Sequence, residues 1–536
     1  MAASTICSTA RRRSSPTRSS TATPRIMTLS AATSSSAPSC ASGPDPFMTT
    51  RNRMITMARR ASPFPSLRRT LPGLLLLAGV SAPASAAIQP HVNQTQGQPV
   101  SGCTARTENL KPPQVPFGQQ NPVAEDKAYV LRAARILEPA SGQVTQGGYV
   151  VVRGTCILGV NAAIPAGAET VELGDVTLMP GLIDLHTHLF LRDEDQVWPY
   201  SILWKTSPYR TIEGVDAAIK TLNIGFTTVR DLDDEGALDS DTALRDAIAR
   251  GVVPGPQMIV AGVPLTITGG DMNLPLVNPE IQPHVPQPAE MIDSDAAIVP
   301  AVRERIKRGS DLIKVYVTST RRQTDPVTMM PFSQFDVQQM RTIVQEAHRY
   351  GRDVAAHGYG GPAVEAAVAA GVRTIEHGPL LTDQNIASLA KSDTYWVPTL
   401  ITYAVRQNTD FEKRFVAHHR DAFRKALKAG VKIGFGTDVG SFPHGTQNGE
   451  FDLMVSYGMK PLDAIRAATS VAATVLRLDG QVGTLAAGSD ADIVAVAGDP
   501  LQAIADIHKV RFVMTDGRIF RNDVTDQRFD WEWSRR

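Results

Sequence analysis

Apolar residues in this chain come in short runs, separated by stretches whose polar and apolar positions follow a different period. Runs at 183–189, 227–232, 258–267, 312–317, 354–357, 374–377, 396–399 and 433–437 have the length and composition of strands. The segments between them, such as 335–350 and 415–429, space their apolar residues at helical intervals and carry few breakers. Strands that alternate with helices in this way predict an α/β fold, a (β/α)8 TIM-like barrel. The flanks follow another rule. Between 129 and 176, short alternating runs such as Tyr149-Val150-Val151-Val152 are cut by glycine-bearing turns, which predicts antiparallel strands. A similar block returns at Ala491-Asp492-Ile493-Val494-Ala495-Val496 and Val510-Arg511-Phe512-Val513-Met514. The two ends therefore predict one small β-sandwich, 127–176 plus 480–525, with the barrel, 177–479, lying between its halves in sequence.

Residues 1–53 are rich in Ser, Thr and Arg, have almost no large apolar side chains and cannot bury a core. They read either as a disordered extension or as translated sequence upstream of a start at Met54 or Met57, and composition favours the second. Next, Arg59-Arg60 and Arg68-Arg69 precede Leu71-Pro72-Gly73-Leu74-Leu75-Leu76-Leu77-Ala78-Gly79-Val80, and the run closes on Ala84-Ser85-Ala86. A basic region, a short apolar core and an Ala-x-Ala site read as a secretory signal over 54–86, too short to span a bilayer. Residues 87–126, rich in Pro, Gln and Asn, read as an extended segment leading into the fold. The expectation is a periplasmic or secreted protein with no membrane attachment once the signal is removed. Cys7 and Cys40 precede the signal, while Cys103 and Cys156 either pair in an oxidising compartment or remain separate thiols. A formal net charge of +1 over 536 residues gives no basis for nucleic-acid binding, so the expected partner is a small-molecule substrate.

The candidate chemistry begins at Gly181-Leu182-Ile183-Asp184-Leu185-His186-Thr187-His188, where an apolar strand ends in two histidines one residue apart. Side chains at i and i+2 of a strand share a face, so His186 and His188 can bind one metal ion together. Further candidates are Lys314 in Asp311-Leu312-Ile313-Lys314-Val315-Tyr316, His357 in Val354-Ala355-Ala356-His357-Gly358, His377 in Thr374-Ile375-Glu376-His377-Gly378 and Asp438 in Gly434-Phe435-Gly436-Thr437-Asp438. Each sits at or near the C-terminal end of an apolar run, and in a barrel of parallel strands those ends converge on one mouth. Imidazoles and carboxylates suit Zn²⁺ or a neighbouring divalent ion, whereas a lysine ammonium cannot ligate. Burial in an apolar strand lowers a lysine pKa, and the free amine can add CO₂ to give an anionic carbamate able to bridge two metals.

The order His-x-His, Lys, His, His, Asp resembles the amidohydrolase superfamily, and within it the imidazolonepropionase-like branch with Xaa-Pro dipeptidases, lysine and arginine carboxypeptidases and ochratoxin-hydrolysing amidases. The likeness extends to Leu178-Met179-Pro180-Gly181, to Gly225-Phe226-Thr227-Thr228-Val229-Arg230-Asp231 and to Gly483-Thr484-Leu485-Ala486-Ala487-Gly488-Ser489-Asp490-Ala491-Asp492. It implies two divalent ions, zinc in the first place: His186, His188 and Asp438 hold one, His357 and His377 the other, and a carbamate on Lys314 bridges them. A water shared by two cations loses its proton near neutral pH, and the resemblance makes Asp438 the catalytic group that takes that proton to the leaving amine. Self-association is a further implication of the family.

Tyr316, two residues beyond Lys314 on the same strand face, is a candidate to bond a substrate carboxylate or carbonyl, with a barrel-lining aromatic as the equal alternative. His444, close after Asp438, is a second candidate substrate contact. His418-His419 lies in a polar helix and reads as solvated, and His284, His348 and His508 have no evident partner. One departure stands out: many relatives carry Gly-Gly-His after the third strand, whereas this chain has Gly269-Gly270-Asp271. An ionised aspartate there would repel negative charge developing on a carbonyl oxygen. The expected function is an exported binuclear metal-dependent hydrolase that cleaves C–N bonds, amide or peptide, of small acyl-amino-acids or dipeptides through a metal-bridging hydroxide. The alternatives are a hydrolase of cyclic amides or imidazolone-type rings and, in a different class, a non-catalytic barrel scaffold, which has no chemical need for Asp438 or a carbamate.

Overall fold

A computed structural model describes residues 127–524, apart from 193–199 and short stretches within 273–283 and 321–328, together with Gln527 and Arg528. The expected signal and the segments around it lie outside these residues. Strands β1 (Leu182–Thr187), β2 (Phe226–Asp231) and β3 (Gln257–Val260) pair in parallel. So do β4 (Leu312–Tyr316), β5 (Asp353–Gly358), β6 (Thr374–His377) and β7 (Tyr395–Val397). The register sets Tyr316 beside His357 and Gly358 beside His377, so the C-terminal ends share one edge. The Asp311 N–H donates to the Val260 carbonyl at 2.8 Å and links the two runs. Helices α1 (Ser207–Asn223), α2 (Ser240–Ala249), α3 (Asp295–Lys307), α4 (Val337–Arg349), α5 (Pro362–Ala370), α6 (Asp383–Lys391), α7 (Leu400–Ala404) and α8 (Asp410–Ala429) alternate with them. The architecture is a TIM-barrel-like α/β fold.

Two of the expected strands differ. The run at 258–267 breaks into Gln257–Val260 and Leu265–Thr266, because Pro264 has no N–H to give a ladder. The run at 433–437 makes only isolated bridges, Trp396 with Ile433 and Thr187 with Val439, since part of its backbone bonds elsewhere: Phe435 N donates to Ala467 O at 3.0 Å. It nevertheless ties β7 to β1, through Trp396 N to Lys432 O at 2.8 Å and Asp438 N to His186 O at 2.7 Å. A Cβ on Gly436 would lie 2.4 Å from Val397 Cγ1 and 3.1 Å from the His186 N, so only glycine lets this segment press against β1 and deliver Asp438.

Alternation along the strands separates two environments. Outward residues, among them Val229, Ile313, Val315, Val354 and Ile375, join Leu222 of α1, Met340 and Ile343 of α4 and Phe423 of α8 in one apolar cluster. The opposite faces of the same strands bury Asp184, His186, Arg230, Lys314 and Glu376. α8 begins at Asp410, earlier than the apolar spacing alone indicates, because Thr409 and Glu412 form a capping box.

The flanks form two further sheets. The four-stranded sheet is mixed, not wholly antiparallel as expected: Ala128–Arg132 runs antiparallel to Tyr149–Arg153 and parallel to Glu169–Glu172. The seven-stranded sheet joins the two ends of the chain, with Ile493–Ala497 antiparallel to Val176–Pro180. Leu131, Val150 and Ile157 of the first sheet share a core with Leu178, Ile493 and Phe512 of the second. Val176–Pro180 leads through Gly181 into β1, so this sheet anchors the strand that carries the first histidines. Cys156 is disulfide-bonded, with its partner outside the described residues. Among the described residues no helix is long and apolar enough to cross a membrane.

Candidate active site

β1 aims Asp184 and His186 inward, and the chain just beyond it adds His188. His186 Nε2 lies 3.2 Å from His188 Nε2 and 3.5 Å from Asp438 Oδ1, which is itself 3.1 Å from His188 Nε2. From the other strands, the His377 ring stands 4.7 Å from His186 and 4.6 Å from His357, whose ring is 4.7 Å from Tyr316. Lys314 Nζ is 5.3 Å from the Tyr316 ring. The six residues expected to hold metal thus converge at one edge of the strands.

Three of the four imidazoles have a partner behind them. His186 Nδ1 lies 2.8 Å from Glu376 Oε2 and His377 Nδ1 2.8 Å from Thr399 Oγ1, while His188 Nδ1 stands 2.8 Å from Glu235 Oε1 as an ion-pair contact without hydrogen-bond geometry. A carboxylate only accepts, so His186 keeps its proton on Nδ1 and turns the Nε2 lone pair toward His188 and Asp438. Behind Glu376 stands Arg230, with Nη2 2.7 Å from Glu376 Oε1 and Nε donating to the Leu185 carbonyl at 2.6 Å. This buried ion pair crosses the interior from β2 to β6 and locks the carboxylate on which His186 depends.

The electrostatics fit a cation. Burial, the Lys314 charge and neighbouring histidines hold His186, His357 and His377 well below the usual histidine pKa, so they are neutral donors. Burial opposes charge on His188 too, but Asp438 and Glu235 lift it well above the usual value, so the carboxylates around this ring favour positive charge there. Burial also lowers the Lys314 amine, against the pull of Glu376, Asp438 and Asp233. Lys314 Nζ and His357 Nε2 are both buried and have no hydrogen-bond partner among the described residues. Two such orphaned nitrogens in one cluster are costly unless a ligand engages them, and a metal centre would engage both. Two geometric groupings could seat an ion: His186, His377 and Asp438, and separately His188, Asp233 and Glu235.

Several ends of strands are left-handed although not glycine: Glu235 has φ 55°, His377 71°, Thr399 48° and Asp438 63°. Such conformations each cost on the order of 1 kcal/mol and persist where the surroundings hold them.

Other expectations fare differently. Tyr316 is buried, and its hydroxyl reaches Asp233 Oδ2 only at 3.5 Å. His444 does not join the cluster: its Nε2 donates to the Leu191 carbonyl at 2.9 Å, and its charged neighbours are Arg192, Lys220 and Asp216. His419 is not solvated but 1% exposed, with Nε2 3.0 Å from the His377 carbonyl, because Phe415 and Phe423, four residues to either side, set it on the buried face of α8. Asp271 is buried near Tyr316. Sequence reasoning passed over Glu376, Arg230, Glu235, Asp233 and Thr399; Glu376 lay next to a named ligand, and Arg230 stood in a recognised motif.

The Ochratoxinase of Aspergillus niger is 29% identical over 377 residues, covering 64% of this chain and 75% of that protein. The crystal structure of a Xaa-Pro dipeptidase with bound methionine in the active site superposes with a TM-score of 0.64 at 29% identity, over 74% of this chain and 100% of that one. The Imidazolonepropionase of Salinispora tropica is 26% identical over 348 residues, 63% of this chain and 82% of that protein. The profile of the amidohydrolase family matches residues 177–520. This chain belongs to the amidohydrolase family and is a metal-dependent amidohydrolase.

Proposed function

We propose that the protein is an exported binuclear hydrolase that cleaves the C–N bond of small acyl-amino-acid or dipeptide substrates. The observation that carries this reading is the pair of orphaned buried nitrogens, Lys314 Nζ and His357 Nε2, beside histidines already oriented through Nδ1. In it, His186, His188 and Asp438 would hold one ion and His357 and His377 the other, with Lys314, as a carbamate, supplying an anionic ligand to the centre. Divalent ions bound there, zinc first among them, supply an acidified water and a polarised carbonyl. Asp438 is the one carboxylate of the set and keeps 17% of its side chain exposed, against 0% for His186. It can therefore reach a substrate, take a proton from the attacking water onto a carboxylate oxygen and pass it to the leaving nitrogen. Burial and Asp233 push Tyr316 well above the usual tyrosine pKa, which keeps its hydroxyl a donor for a substrate oxygen. A dipeptidase and an ochratoxinase among the relatives support a small amide substrate. The hydrogen-bonded run of strands reads as one closed barrel, 177–479, and the flanking sheets as a β-sandwich of 127–176 with 480–525. Export rests on the basic, apolar and Ala-x-Ala pattern before residue 87.

A second reading, hydrolysis of a cyclic amide, is favoured by the likeness to an imidazolonepropionase. One screen separates the two: purified protein, with bound metal counted, is offered dipeptides, N-acyl amino acids and imidazolone-type rings, with and without chelator. Release of amino acid from open-chain substrates, lost on chelation and restored by Zn²⁺, is expected. Turnover of rings alone would establish the second reading, and turnover indifferent to chelation would refute both.

A further inference from the structure

β6 ends at His377, whose φ of 71° turns its carbonyl out of the ladder. That oxygen is gripped by two buried side chains, Trp396 Nε1 at 3.0 Å and His419 Nε2 at 3.0 Å. A carbonyl only accepts, so His419 carries a proton on Nε2. Its ring is clamped edge-on to Tyr403 at 5.3 Å and tilted against Trp396 at 6.1 Å. On α8 the imidazole takes a place between Phe415 and Phe423 on the buried face. An apolar residue would fill that place without the cost of burying a polar ring, which falls due unless the ring is bonded. The ring bonds backbone carbonyls, at Pro398 and, through Nε2, at His377, a residue in the metal cluster.

We infer that His419 is a positioning residue for His377: together with Trp396 it pins the His377 carbonyl, holds the left-handed turn and so aims the His377 imidazole at His357. This rests on the proposal that His377 and His357 hold one of two ions. It predicts that loss of the His419 donor weakens one ion selectively, leaving the ion of His186, His188 and Asp438 as it is.

The test titrates the metal-free full chain with Co²⁺, following its ligand-field absorption, in wild type, His419→Leu, His419→Gln and Trp396→Phe, with circular dichroism to confirm the fold. In His419→Leu one of two Co²⁺ ions should bind 10- to 100-fold more weakly, the range known for groups that orient metal ligands. His419→Gln, whose amide N–H can reach the same carbonyl, should recover most of that loss, and Trp396→Phe, which removes the indole N–H together with part of a fully buried ring, should weaken the same ion. Two Co²⁺ ions bound by His419→Leu as tightly as by wild type would overturn the inference, as would equal weakening of both ions or no rescue by Gln. If His419→Leu does not fold, Trp396→Phe with both ions at wild-type affinity overturns it. A wild type that binds two Co²⁺ leaves the metal proposal standing in each of these outcomes; one that binds none removes that proposal and this inference with it.

Discussion

Glu376→Gln should damage the site without touching any reacting group. The carboxylate is fully buried and divides its oxygens, Oε2 2.8 Å from His186 Nδ1 and Oε1 2.7 Å from Arg230 Nη2. Gln keeps the volume but offers one oxygen and one NH₂. With the oxygen on Arg230, the NH₂ faces His186 Nδ1, which must then give up its proton and move it to Nε2, covering the lone pair aimed at Asp438 and His188. With the oxygen on His186, the NH₂ faces the Arg230 guanidinium, donor against donor. In either orientation Arg230, 2% exposed, loses its counter-charge. Removing one partner of a buried ion pair typically costs about 3–5 kcal/mol. With its oxygen on Arg230, Gln also keeps the hydrogen bond from the Thr374 hydroxyl, so the lower end, about 3 kcal/mol, is expected for metal-free stability, together with a 10- to 100-fold loss of metal affinity from the misoriented imidazole. Urea unfolding of the metal-free protein measures the first, and Zn²⁺ competition with a chromophoric chelator the second. Glu376→Asp, which keeps the charge, should lose less of both. Stability within about 0.5 kcal/mol of wild type and unchanged metal affinity would refute the claim that Arg230 and Glu376 orient His186.

Three further outcomes are expected. Lys314→Ala should bind less metal, and a short carboxylic acid in the buffer should restore part of it, because its two oxygens can take the place of those of the carbamate; full metal content without the acid, by elemental analysis, would sink the bridging role. Asp438→Asn should lose at least ~10²-fold in kcat/KM on an amide but less on an activated ester of the same acyl group, at matched metal content; equal losses would mean that Asp438 does not serve the leaving group. Burial lowers His444 to about 4, against 6.5 unfolded. Between those values the unfolded chain binds a proton that the folded ring refuses, so its contribution is intact above pH 6.5 and lost as pH falls, by about 1.4 kcal/mol per pH unit. His444→Phe should flatten that slope in urea unfolding from pH 6.5 to 4.5, and an unchanged slope would contradict the assignment.

What the sequence disclosed follows from which residues obey a local period. His186 and His188 are legible because i and i+2 share a strand face, and Lys314 because it interrupts an apolar run at an inward position. Glu376 is not legible by that rule: alternation sends it and His377 to opposite sides, and only the left-handed turn at His377 allows both to serve the site. Arg230 meets Glu376 across 146 residues of chain, a distance over which no spacing argument reaches. The same holds for His444, whose place is set by the Leu191 carbonyl 253 residues away and not by its nearness to Asp438 in sequence. His419 was legible in principle, since Phe415 and Phe423 mark its face, but the charged residues of α8 conceal the stripe.

The left-handed residues have a common cause. A strand that simply ran on past His377 or Asp438 would alternate its side chains and keep its carbonyls in the ladder, so at most every second residue at the mouth would face the cluster. Turning left-handed at the strand end breaks the alternation and frees the backbone to be tied elsewhere. Asp438 N is bound to the His186 carbonyl at 2.7 Å, Glu235 N to Asp233 Oδ1 at 2.7 Å and the His377 carbonyl to Trp396 and His419. Each tie holds a conformation that costs on the order of 1 kcal/mol when left alone. If these ties position the ligands, severing one should lower metal affinity before it changes kcat at saturating metal, because the reacting groups themselves remain in place. Variants that remove a tie should therefore regain near wild-type kcat when excess Zn²⁺ is supplied, whereas Asp438→Asn should not. That difference separates the residues that build the site from the one that moves the proton.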